Sequence, residues 1–160
     1  MAHEQPQSML VFFPHPQPVG ELPQWPLHMT ILPWTNVSPE KFILFTRENV
    51  HADDVLPIEV VGTAMFGHPE QGHMPMTVNL IEPADNLQAF HERFFRRFGR
   101  LLLENRGESG EGYRPHITRK KGQKNLEMGD TFLFDAVSVV SWIDGKRMIV
   151  ATIPFVGQSA

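Results

Sequence analysis

Two short stretches, PLHMT and YRPHITRKK, each place a histidine two residues before a threonine, at His28-Met29-Thr30 and His116-Ile117-Thr118. In a β-strand residues i and i+2 share a face, so each histidine stands beside its threonine while Met29 or Ile117 points the other way. Imidazole changes charge near neutral pH and serves as proton donor or acceptor, and a neighbouring hydroxyl offers a hydrogen bond where charge develops. Two such pairs suit a reaction that needs a base at one end and an acid at the other. The motifs are separated by a little over half the chain, which suggests one in each of two similar lobes, facing each other across a cleft.

Positioning these pairs requires strands, and the sequence reads as strands alternating with helices. Met9 to Phe13 and His28 to Leu32 are short apolar strands, the second closed by Pro33 and Asn36. The proline-rich stretch His15 to Pro26 is expected to stay out of any sheet ladder. Ser38-Pro39-Glu40 reads as a helix start, with Ser38 as N-cap and Pro39 in the first turn, and the helix runs to about Asn49. Leu56 to Phe66 and Met76 to Ile81 form a predicted hairpin around the turn-rich GHPEQGHMP. A second helix follows Pro83-Ala84-Asp85, with Leu87, Phe90, Phe94, Phe98 and Leu101 as its core stripe. Arg93, Arg96, Arg97, Arg100 and a solvated His91 occupy its polar side. A strand through His116, a single strand from Thr131 to Trp142, a turn at Asp144-Gly145 and a strand from Arg147 to Phe155 complete the pattern.

The chain has 160 residues, 41% of them hydrophobic, enough for one domain over residues 1–160 to bury a core without staples. With no cysteine there is neither a disulfide framework nor thiolate chemistry. MAHEQPQSMLVFFPHPQ lacks the basic region and apolar length of a signal peptide or membrane span, so a cytoplasmic protein without membrane association is expected. A net charge of -4 argues against a duplex DNA partner. Yet Arg114, Arg119, Lys120, Lys121 and Lys124 cluster around the second motif, whereas the first forty residues hold no lysine or arginine. A local basic cluster in an acidic protein suits a small anionic ligand.

Arg114, Arg119 and Lys121 are therefore candidate substrate-binding residues. A regular strand turns Arg119 away from the face of Thr118, which makes Arg114 or Lys121 the better phosphate partner. Phe13, Trp34 and Tyr113 lie beside the motif strands and are candidates to stack on a base. His68 and His73 have no carboxylates at ligand spacing, so no metal site is expected. His3, His15 and His51 read as solvated, and the segment Asn105 to Gly112 matches no phosphate-loop spacing and reads as a loop at the cleft mouth.

These motifs resemble those of the 2H phosphoesterase superfamily, which includes the 2'-5' RNA ligases and RNA 2',3'-cyclic phosphodiesterases. The resemblance rests on His28-Met29-Thr30-Ile31 and on Pro115-His116-Ile117-Thr118, and in length and element order it extends from Met9 to Phe155. It departs from the commonest pattern at Arg119, where an aliphatic residue usually follows the threonine. The resemblance implies an α+β fold with two lobes, two antiparallel sheets around a central groove, flanking helices and pseudo-twofold symmetry.

It also implies a metal-independent, cofactor-free phosphodiesterase in which His28, Thr30, His116 and Thr118 are catalytic. Opening a cyclic phosphodiester needs water deprotonated on one side of phosphorus and a ribose oxygen protonated on the other, and two histidines suffice. The threonines would donate to the non-bridging oxygens. Expected substrates are a 2',3'-cyclic phosphate, a 2'-5' linkage or a small cyclic or linear oligonucleotide, handled by a monomer, with RNA ligation as the reverse reaction. The alternative is a catalytically silent RNA- or nucleotide-binding module of the same fold.

Overall fold

The structure is a computed structural model that describes residues 7–67, 75–103 and 110–157. Among these residues nine strands are present: β1 (Ser8–Phe12), β2 (Gly20–Glu21), β3 (Met29–Thr35), β4 (Leu56–Phe66), β5 (Met76–Glu82), β6 (His116–Thr118), β7 (Thr131–Phe134), β8 (Ala136–Ile143) and β9 (Lys146–Pro154). Two α-helices accompany them, α1 (Pro39–Asn49) and α2 (Ala84–Phe98). The turn between β4 and β5, including His68 and His73, lies outside the described residues, as do His3 and most of the segment from Asn105 to Gly112.

The fold is α+β, as expected, but the two sheets are one. All nine strands hydrogen-bond in the order β2-β9-β8-β1-β3-β6-β5-β4-β7, with every pair antiparallel. The join is the pairing of β3 with β6 at Met29↔Ile117. Both side chains are fully buried, and parting the strands there would leave buried backbone N–H and C=O groups without partners. The two motifs thus sit on adjacent central strands.

Local chemistry explains most element limits. Pro39 opens α1 and Ser38 occupies its N-cap position in extended geometry, although its side chain makes no capping bond. In α2 the stripe Leu87, Phe90, Phe94 and Phe98 is buried, whereas Leu101 falls in a 3₁₀ turn beyond the helix and is 43% exposed. β8 and β9 meet in a two-residue turn at Asp144 and Gly145, both with positive φ, a geometry that asparagine, aspartate and glycine tolerate best.

Three expected limits shift. β3 runs through Pro33 to Thr35, and β1 and β6 flank it only over parts of its length. Within the proline-rich stretch, the proline-free pair Gly20–Glu21 does join the sheet, on the outer edge of β9. The single strand predicted from Thr131 to Trp142 is two strands that part at Asp135: β7 pairs with β4 at one sheet edge, and β8 lies between β1 and β9 in the other half. The Asp135 carbonyl accepts the Phe155 N–H at 2.9 Å, which fixes the chain where it changes direction.

β1 is buried along its whole length because both sheet faces are covered there. Leu10 and Phe12 join Met29, Ile31, Ile117 and the phenylalanines of α1 and α2 in the main core. Met9, Val11 and Phe13 join Leu22, Val140 and Ile149 on the other face, with Trp25 and Trp34 packed against them. The helices therefore cover one face, and the second face carries the motifs.

Candidate functional site

In an antiparallel pair centred on Met29↔Ile117, the flanking residues His28 and Thr118 oppose each other, as do Thr30 and His116. Alternation puts all four on the face away from the helices, and all four are half-buried while Met29 and Ile117 are fully buried. The four residues form a compact quartet about a local dyad. Among the described residues, neither threonine hydroxyl has a hydrogen-bond partner, so both are available to an incoming oxygen.

Both histidines are held in the same way. The Nδ1–H of His28 donates to the Pro26 carbonyl at 2.9 Å, and that of His116 donates to the Arg114 carbonyl at 2.7 Å, in each case two residues back. A carbonyl only accepts, so each bond fixes the tautomer that leaves Nε2 to take or give the working proton. Each ring also rests on an aromatic that carries an arginine. His28 stacks on Trp25 at 4.3 Å with the Arg147 guanidinium 4.7 Å from the Trp25 ring, while His116 meets Phe66 edge-on at 4.6 Å with Arg114 4.9 Å from Phe66.

The electrostatics of His28 are unusual. Burial, together with the charges of Lys120, His116 and Arg147, pushes its pKa down to about 4, against the bond to Pro26 that favours its proton. The ring is therefore neutral across the physiological range. Lys120 lies below its ordinary range through burial and the proximity of Arg147.

The other expected site residues divide. Arg114 lies beside His116 through Phe66, and Lys121 is exposed three residues beyond β6. The Arg119 guanidinium bonds to the Leu126 carbonyl at 2.9 Å and reaches Asn79 Oδ1 at 3.5 Å, on the side opposite Thr118, as strand alternation predicts. Phe13 is buried in the second apolar cluster, 6.4 Å from the His28 ring, where it backs the histidine. Trp34 stacks on Trp142 at 6.0 Å farther along β3.

Tyr113 is a buried clamp. Its hydroxyl donates to the Thr30 carbonyl at 2.9 Å, its ring lies flat on His91 at 4.0 Å, and burial raises its pKa. His91, expected in solvent, is fully buried: its Nδ1–H donates to the Ile31 carbonyl at 2.6 Å and its Nε2 accepts the Gly110 N–H at 2.8 Å. Gly110 has φ +65°, and a Cβ there would meet the Phe95 ring at 3.0 Å, so the backbone approaches His91 because the residue is glycine. His91 and Tyr113 together tie β3 to the segment entering β6.

Two residues near His28 escaped the sequence reading as site residues. Lys120 belonged to the basic cluster visible in the sequence, but it lies beyond the end of β6, in a loop closed by Asn125. Arg147 had no local signal: β2 pairs with β9, and the chain leaving β2 then carries Trp25 over Arg147. Among the described residues no three His, Asp or Glu side chains converge as metal ligands would, and no helix is long and apolar enough to cross a membrane.

A family model described as the 2'-5' RNA ligase superfamily matches residues 12–139, a span that includes both motifs. Among solved structures, TT0787 of Thermus thermophilus superposes with a TM-score of 0.60 at 16% identity, covering 96% of this chain and 100% of that one. A structure described only as a phosphoesterase gives a TM-score of 0.50 at 13% identity, with coverage of 94% and 95%. LigT of Escherichia coli, solved with NADP+, gives 0.49 at 12% identity, with coverage of 95% of each chain. No curated protein matches the chain.

Proposed function

Because the chain belongs to the 2'-5' RNA ligase superfamily, we propose that it is a metal-independent phosphodiesterase acting on a 2',3'-cyclic phosphate, a 2'-5' linkage or a small oligonucleotide. The observation that carries this reading is the quartet of His28, Thr30, His116 and Thr118 about the Met29↔Ile117 pair, with both imidazoles held through Nδ1.

In the hydrolytic direction His28 is the base, since its depressed pKa keeps Nε2 unprotonated at neutral pH. It takes a proton from water as the water oxygen attacks phosphorus. The bond from phosphorus to the leaving ribose oxygen breaks on the opposite side, and that oxygen takes the proton from Nε2 of His116. Thr30 and Thr118 donate to the non-bridging oxygens, where fixed donors act more strongly than water. Arg114 lies near enough to His116 to balance phosphate charge at that end. With the hydroxyl of a second nucleotide in place of water, the same sequence of proton transfers opens the cyclic phosphate onto that hydroxyl, which is ligation.

A panel of 2',3'-cyclic mononucleotides, 2'-5' oligoadenylate and cyclic dinucleotides, incubated with the protein and separated chromatographically, tests the reading. Turnover of at least one member supports it. Tight binding of a member with no turnover of any assigns a silent nucleotide-binding module instead.

A further inference from the structure

Beside His28 lies a cationic corner whose charges help keep that ring neutral but to which the proposed phosphoryl chemistry gives no contact with substrate. Arg147, on β9, stands 4.7 Å from the Trp25 ring that also supports His28. Among the described residues its guanidinium makes two long bonds, from Nε–H to the Leu22 carbonyl at 3.3 Å and from Nη2 to the Pro23 carbonyl at 3.4 Å, and lies 6.0 Å from the Trp142 ring. A guanidinium has five N–H donors, so most of this fork is unspent.

Lys120 belongs to the same corner. It stands two residues past the end of β6, close enough to His28 and to Arg147 for their charges to act on one another. Its loop is closed by Asn125, which accepts the Lys120 N–H at 2.6 Å and donates to the Lys120 carbonyl at 3.0 Å. Gln123 in that loop donates to the Trp25 carbonyl at 3.0 Å, docking the loop against the segment that Arg147 holds. Among the described residues neither cation has a carboxylate within ion-pair distance, in a protein whose net charge is -4. Two half-buried cations without an acidic partner are costly together and are relieved by an anion.

We propose that Lys120 and Arg147, set against Trp25, bind a second phosphate of the substrate, one nucleotide away from the scissile phosphate. The inference rests on the reading of His28 and His116 as the phosphodiester site, and it narrows the substrate class to nucleotides or oligonucleotides with at least two phosphates. The proposed site is distinct from the quartet, whose histidines and threonines engage the scissile group.

The test is calorimetric and does not require turnover. Adenosine 2'-monophosphate and adenosine 2',5'-bisphosphate are titrated into the whole protein, so that any base preference cancels between them. The bisphosphate is expected to bind on the order of ten- to a hundredfold more tightly, as one or two charge-assisted contacts would give. Lys120→Ala and Arg147→Ala should each shrink that ratio toward one, and Arg147→Lys, which keeps charge but loses the fork, should retain part of it. A ratio of one in the wild type, absence of binding by both probes, or a ratio unchanged in all three variants overturns the proposal. A bisphosphate preference in a protein that turns over no substrate would refute the catalytic reading and leave this one standing, while turnover without the preference would do the reverse.

Discussion

Replacing His91 with phenylalanine isolates the polar half of the clamp between the two motif strands. The phenyl ring keeps the stack on Tyr113, but it leaves the Ile31 carbonyl and the Gly110 N–H, bonded to His91 at 2.6 and 2.8 Å, without partners in a fully buried site. Each buried orphan costs about 1–3 kcal/mol, so the pair should lose about 2–6 kcal/mol of stability. With a urea slope of about 2 kcal/mol/M, typical for a small protein, the midpoint should fall by about 1–3 M.

The pH dependence checks the same bonds. Burial holds the His91 pKa below its ordinary 6.5, so between that value and its folded pKa the unfolded chain binds more protons than the native one. Stability that is fully present above pH 6.5 is therefore lost as the pH falls, and His91→Phe should flatten this slope, leaving the share due to His28, whose folded pKa is about 4. Below the urea transition the variant should remain folded yet lose at least about tenfold in kcat, because the strands that hold the quartet are less well fixed. A midpoint shift under about 0.5 M, with an unchanged pH slope, would refute the assignment of His91 as a neutral, doubly bonded bridge.

Activity should survive excess EDTA, and kcat/KM should have an acid limb near pH 4, where His28 takes up its proton, with a basic limb where the acid group loses its own. Loss of activity on chelation, restored by added metal, would contradict this. Thr30→Val and Thr118→Val should each lower kcat and raise KM, since the hydroxyls touch phosphate in both ground and transition states; unchanged kinetics in both would remove them from the site. Arg119→Ala should cost about 1–2 kcal/mol through the lost bond to the Leu126 carbonyl and leave KM unchanged, and the reverse pattern would make Arg119 a substrate ligand.

The elements with strong local signals were legible in the sequence. Pro39 marked the start of α1, the phenylalanine spacing marked the buried stripe of α2, and the turn-rich GHPEQGHMP between two strand-like runs marked the β4–β5 hairpin. The same-face placement of His28 with Thr30 and of His116 with Thr118 followed from strand geometry alone. What could not be read was set by long-range pairing. Whether β3 and β6 stand apart or touch is decided by one antiparallel pair between residues in different halves of the chain. The split at Asp135 depends on β7 and β8 finding partners in opposite halves of the sheet. His91 looked like a surface residue because its partners, Ile31 and Gly110, come from outside its helix, and Arg147 comes to Trp25 only through the β2–β9 pairing.

The account turns on His28 and His116 working as one acid–base pair on a single phosphodiester, and the most direct measurement is kcat for wild type, His28→Ala, His116→Ala and the double variant on the best substrate of the panel. Each single variant should lose roughly 10²–10⁴-fold in kcat with ligand binding largely retained, and the double variant should be little worse than the poorer single one. If either single variant keeps wild-type kcat, or if the two losses multiply in the double variant, the paired mechanism is contradicted.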